Sequence, residues 1–215
     1  MFQRRFFLAA LLGGLMILAV ARPLPAAASS EMESGATVFI ESLSKQAVAS
    51  LADQQVTRAE RIARFRQLFN ESFAVETIGR WLLGPQWSKA TEEEKKEYLV
   101  LFEDLMVVSY VDRFAEYAGT ALKINRTVTE NEKHVTVFSD INRPGGAQPV
   151  RVDWRVGKRD DGYKVVDVIV EGTSMSITMR SDFSSVINQK GGQVSGLIEV
   201  LREKTVALKQ EAERK

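Results

Sequence analysis

The chain has 215 residues, no cysteine, one histidine and a formal net charge of +1. That length suits one domain with a sizeable core and does not demand two. Balanced charge gives no electrostatic case for nucleic acid or for strong attachment to anionic membranes. Without cysteine and with a single histidine, disulfides, zinc sites and Cys–His chemistry are closed.

Arg4 and Arg5 precede an uncharged apolar run over residues 6–21, and Ala26, Ala27 and Ala28 supply small residues for cleavage. This pattern predicts a cleaved secretory signal peptide over residues 1–28. The run is shorter than the roughly 20 residues of a spanning helix, and Pro23 and Pro25 follow it. Its twin arginines fit one export route and its apolar core fits the general secretory route. Cleavage removes Arg4, Arg5 and Arg22 and no acid, which turns +1 into −2 and leaves a single domain over 29–215.

Phe39, Leu43, Ala47 and Leu51 recur every four residues and predict a helix over 37–52. Ile62, Phe65, Leu68 and Phe69 mark a second over 57–70, and a short third over 75–83 stops at Gly84-Pro85. Thr91 and Glu94 form a capping box for a long helix reaching about residue 117. Its stretch 99–111 is apolar nearly all round, interrupted by Glu103, Asp104 and Ser109, so it must be covered on more than one side.

Extended segments follow. Leu122, Ile124 and Val128 alternate along one strand and Val135 and Val137 along the next. After a turn at 144–146, Val150, Val152, Trp154 and Val156 alternate with Arg151, Asp153 and Arg155. A hairpin turn at 160–162 leads to a strand over 163–170. Beyond Gly172, Met175, Ile177 and Met179 alternate with Ser174, Ser176, Thr178 and Arg180, which predicts another strand. Ser181 is then expected to cap a helix carrying Phe183, Val186 and Ile187, stopped by Gly191 and Gly192. A last helix from about residue 194 buries Val194, Leu197, Ile198, Leu201 and Leu208. Helices first and strands second predict an α+β fold, with helices packed on one face of a curved antiparallel sheet.

Catalytic constellations are missing. There is no nucleophile elbow and no phosphate-binding P-loop. His134 is expected at a strand edge or surface, Gly191-Gly192 as a helix stop, and Asp160-Asp161 as a turn rather than a calcium site. Glu76, Asp112, Asp153, Asp167 and Glu171 stand in or beside ordered segments; acids pointing into a cavity would favour an enzyme, and exposure or pairing with arginine the plainer role. The expectation is a non-enzyme with no metal and no cofactor.

The order Glu171-Gly172-x-Ser174-Met175, then Arg180-Ser181-x-Phe183, then Gly192 ahead of a helix with Leu197, Ile198 and Leu201, resembles the MlaC (toluene-tolerance) family. Thr173 stands where that family usually has an aliphatic residue, and Met179 where tyrosine is common. The Ser-Met-x-x-x-x-Arg-Ser order is also similar to members linked to hopanoid pathways. The resemblance implies an NTF2-like cone enclosing an apolar cavity, and a periplasmic phospholipid-binding protein. It implies a monomeric carrier between outer and inner membranes, the soluble component of an ABC-type lipid transport system. Its partners would be an inner-membrane MCE-domain ABC transporter complex and an outer-membrane lipoprotein complex. A carrier of another lipid such as a hopanoid, or a non-catalytic periplasmic adaptor, remains open.

On that resemblance the candidate lipid-binding residues are Trp81, Leu82 and Leu83 on the short helix, and Phe102, Leu105, Met106, Tyr110 and Phe114 on the long one. Val152, Trp154, Val168, Met175, Ile177 and Met179 join them from strand faces. Arg180 either contacts a head group or pairs with Glu171 across the turn. The short helix around Trp81, bounded by Gly84-Pro85, is expected to move during lipid entry.

Overall fold

The computed structural model describes residues 26–53, 55–117, 120–143, 146–160 and 162–213. Residues 1–25 of the expected signal peptide, Pro144 and Gly145 of the expected turn and Asp161 of the hairpin lie outside the described residues. Among the described residues the chain forms α1 (Ala26–Leu51), α2 (Arg58–Ser72), α3 (Val75–Leu83), a 3₁₀ turn (Gly84–Ser88), α4 (Glu92–Tyr117), β1 (Leu122–Asn131), β2 (His134–Ile141), β3 (Val150–Arg159), β4 (Gly162–Val170), β5 (Thr173–Ser174), α5 (Met175–Gln189) and α6 (Val194–Glu213). The strands form one antiparallel meander in the order β1-β2-β3-β4-β5. The α+β architecture agrees with the expectation.

One face of the sheet is apolar because the strands alternate in register. Val137 faces Trp154, and Trp154 faces Val168; Ser139 faces Val152, and Val152 faces Val170. Helices α1 and α2 cover part of this face, burying Met32, Ala36, Ile40, Leu43 and Leu68 against Val135, Val137, Trp154, Val156 and Val165. Helix α1 begins well before Thr37, the expected start. Its first turns read as polar in sequence, yet Met32 and Ala36 continue the buried stripe, and the carboxylate of Glu33 accepts from the Thr129 amide at 2.9 Å. Gly35 admits the Tyr163 ring, with which any Cβ placed there would overlap.

Helices α3, α4, α5 and α6 share a separate core built on Leu82, Phe102, Phe183, Ile187, Leu197 and Leu201. The capping box is present: Thr91 Oγ1 accepts from the Glu94 amide at 3.1 Å, and Glu94 accepts from the Thr91 amide at 2.9 Å. Buried Tyr98 donates to the Gly79 carbonyl at 2.9 Å, and burial drives its phenol well above the ordinary value, so it stays a neutral pin between α4 and α3. A third cluster of Leu51, Phe65, Phe69, Val107 and Val111 locks α4 onto α1 and α2.

The segment from Met175 to Arg180 is helical, which corrects the expected strand. Glu171 (φ 49°) and Gly172 (φ 81°) form a tight turn that pairs Val170 with Thr173, a primed hairpin turn demanding positive φ at both positions. Glu171 tolerates it because its amide bonds the Arg151 carbonyl at 3.0 Å and its carboxylate accepts from the Arg151 amide at 2.8 Å. Ser174, not Ser181, is the N-cap of α5: its Oγ accepts from the Ile177 amide at 3.0 Å. Asp167 secures the junction, accepting from Ser174 Oγ at 2.5 Å and from the Ser176 amide at 3.0 Å. These bonds reach across from β4, so local alternation could not reveal them. At the other end the Gly192 amide bonds the Ile187 carbonyl at 2.8 Å, with Gly191 and Gly192 both at positive φ, and the double glycine stops α5 as expected.

Replacing Asp167 by Ala strands the Ser176 amide and frees the Ser174 hydroxyl, at an expected cost of about 1–3 kcal/mol. Ser174→Ala should cost about 1 kcal/mol, and the double variant less than the sum because both act on one network. Urea unfolding of the three variants checks this. Asp104 offers a pH test: burial opposes its ionisation, but hydrogen bonds from Lys209 and Arg66 outweigh that and hold its carboxyl below the ordinary 3.8. A depressed folded-state value contributes stability above the unfolded value and loses it as pH falls. Wild type should therefore lose stability as pH drops through and below 3.8, and Asp104→Asn should show a smaller acid-induced loss. The contribution is modest, since water screens a half-exposed pair.

Candidate binding cavity

Helix α4 rests on α1, α2 and α6 rather than lying on the sheet, so the β3–β4 end of the apolar face is not filled from above. The space left is a cavity of about 630 Å³, within the usual size of ligand sites. Its walls come from four sides. Helix α4 supplies Leu105, Met106, Ser109, Tyr110, Arg113 and Phe114; the sheet supplies Ile141, Val150, Val152, Trp154, Val168 and Val170. From β5 and α5 come Thr173, Met175, Thr178, Met179, Asp182, Phe183 and Val186, and from α6 Leu197, Val200, Leu201 and Lys204.

The interior is apolar. Arg113, Asp182 and Lys204 are exposed and mark where the cavity meets water. Burial raises the Tyr110 phenol above its ordinary value, with Arg113 pulling the other way, so it presents a neutral hydroxyl. Trp154 donates from Nε1 to Ser139 Oγ at 3.1 Å, which in turn donates to the Val152 carbonyl at 2.6 Å, leaving its ring as a fixed apolar wall. A smaller apolar pocket of about 70 Å³ lies under α1 and α2, and Phe114, Ile141 and Trp154 line both spaces.

Of the candidates from sequence, Leu105, Met106, Tyr110, Phe114, Val152, Trp154, Val168, Met175 and Met179 line the cavity. Leu82, Leu83 and Phe102 do not; they are buried in the helical core. Ile177 is 63% exposed, a correction that follows from the helix: 177 projects away from the stripe 175, 178, 179, 182, 183, 186. Trp81 is 43% exposed, and the Arg180 guanidinium lies 4.5 Å from its ring centroid. Arg180 also packs on Gly84, where a Cβ would come within 2.6 Å of its Nη2. It therefore ties α5 to the end of α3 and lines no part of the cavity, and Glu171 bonds the Arg151 amide in its stead. Nor does α3, the expected moving element, contribute to the walls.

The wall residues not anticipated from sequence are Ser109 and Arg113 of α4, Thr173 of β5, Thr178, Asp182, Phe183 and Val186 of α5, the strand ends Ile141, Val150 and Val170, and the α6 face of Leu197, Val200, Leu201 and Lys204. Val150 already stands in the alternation of Val152 and Trp154, and that shared face was the signal that could have placed it with them on the wall.

No candidate carboxylate from sequence faces the cavity. Asp112 pairs with Arg58 at 2.9 Å, Asp153 with Arg151 at 2.7 Å on the outer side of the sheet, Asp167 caps α5, and Glu76 sits in the first turn of α3. His134 is half-buried at the start of β2 beside Asn131, and burial together with Arg155 lowers its pKa. Among the described residues no cluster of histidine and acids is placed to hold a metal, and no helix is long and apolar enough to cross a membrane.

Comparison with known proteins gives three results. The fold is similar to that of a phospholipid-binding protein from Ralstonia solanacearum solved in complex with a phospholipid, with a TM-score of 0.72, 23% identity, and coverage of 80% of this chain and 97% of that one. The intermembrane phospholipid transport system binding protein MlaC of Haemophilus influenzae is 20% identical over 120 residues, which is 54% of this chain and 56% of that relative. The chain thus spans little more than half the length of that relative. The family model described as MlaC protein matches residues 41–203, from α1 to α6, and the chain belongs to the MlaC family.

Proposed function

We propose that the protein is a periplasmic carrier that holds phospholipid acyl chains in the cavity between the sheet and α4, α5 and α6. After cleavage of residues 1–28 it would shuttle lipid between outer and inner membranes. It would do so as the soluble component of an ABC-type system, meeting an MCE-domain transporter complex on one side and an outer-membrane lipoprotein complex on the other. The observation that carries this reading is the unfilled apolar chamber of about 630 Å³. A protein-only adaptor would fill such a space with side chains, because unfilled volume in a core is destabilising. The Ralstonia solanacearum protein of like fold was solved with a phospholipid, which supports the same guest here.

Each buried methylene contributes about 0.8 kcal/mol, so chain burial alone can supply the affinity. The head group would stay in water at the mouth, near Arg113 and Lys204. Charge contacts there are screened and worth roughly 0–1 kcal/mol, so selectivity among head groups should be weak.

Purified protein should yield phospholipid on solvent extraction and mass spectrometry; a lipid-free protein that cannot be loaded from vesicles would sink the carrier reading, and a polycyclic lipid would redirect it. Met179→Lys should cut bound lipid at least about tenfold, since an unpaired charge in an apolar site costs several kcal/mol, whereas Ile177→Lys on the same helix should load like wild type. Circular dichroism guards against unfolding. Arg180→Gln should lower stability by about 0.5–1 kcal/mol through loss of the Trp81 contact and leave lipid loading unchanged.

A further inference from the structure

We infer that the small pocket under α1 and α2 is a second site, one that receives the end of a long acyl chain, and that Phe114 is the gate between it and the main cavity. This rests on the carrier reading above. Phe114, Ile141 and Trp154 form the wall common to both spaces. Two of the three are held in place. Trp154 is hydrogen-bonded to Ser139 within the sheet, and Ile141 is paired on both sides, with Leu122 of β1 and Val150 of β3. Phe114 has no polar atom to hold it; it is half-buried near the end of α4 with its ring 5.0 Å from that of Phe65. Rotation of that one side chain joins the two spaces.

The lining of the side pocket supplies the reason. Its walls are mostly apolar, with Ile40, Leu43, Ala47, Phe65 and Phe69 among them and Ser44 and Thr120 as the polar members. Left empty, these walls lack contact partners; a chain end entering past Phe114 restores them.

The test is competition for the full processed chain between vesicles of a short-chain and a long-chain phosphatidylglycerol, read by native mass spectrometry of the bound species. Phe114→Ala should shift the bound ratio toward the long chain by about tenfold, the equivalent of two buried methylenes. Ala47→Leu, which fills the side pocket without touching the main cavity, should shift it toward the short chain. If both folded variants keep the wild-type ratio, the gate and the second site are overturned while the carrier reading stands. If wild type loads neither lipid, the carrier reading itself has failed. Should Phe114→Ala not fold, Ala47→Leu decides alone.

Discussion

Everything in this fold turns on the hydrogen-bonded junction at which Asp167 of β4 holds Ser174 and Ser176 at the start of α5. Helix α5 has two duties that pull against each other: it must close the β4 end of the sheet and yet stand far enough away to leave a chamber. Apolar packing is non-directional and would draw it down onto Val168 and Val170. Directional bonds at its first turn, a tight turn at Glu171–Gly172 and the Arg180–Trp81 contact fix its angle instead. The glycine stop at its far end then returns the chain into α6, whose Leu197 and Leu201 complete the helical core.

The cavity survives for a related reason. Helix α4 is apolar nearly all round over residues 99–111, and its sides are engaged by α2 through Val107 and Val111 and by α6 through the ion pairs of Arg202 with Glu97 and Lys209 with Asp104. With its flanks occupied it stands off the sheet, on the other side of the chamber. What it presents to the gap below is Leu105, Met106, Ser109, Tyr110 and Phe114, with the one charged member, Arg113, exposed at the mouth.

Much of this was legible in the sequence. The capping box, the alternation of Val150 to Val156, the double-glycine stop and the apolar stretch 99–111 of α4 read correctly because each is set by neighbours within a few residues. The opening of α5 was misread because Met175, Ile177 and Met179 alternate like a strand, while the helical stripe is interrupted by Thr178 and Asp182. Those polar residues belong to it because the stripe faces an open chamber with a wet rim. Leu82, Leu83 and Phe102 have the composition of a cavity wall and the location of a core, and Trp81 lies at the surface under Arg180; sequence carries composition and only packing decides location.

The unfilled chamber also sets a thermodynamic condition on release. Any guest that binds the folded chain alone stabilises it by RT ln(1 + [L]/Kd), about 2.7 kcal/mol at a hundredfold excess over Kd. That is a sizeable share of the 5–15 kcal/mol typical of a domain. Losing a guest removes that increment from the margin of the folded state over the unfolded one. For the carrier proposed above, the affinity for the guest and the stability lost on giving it up would then be one linked quantity.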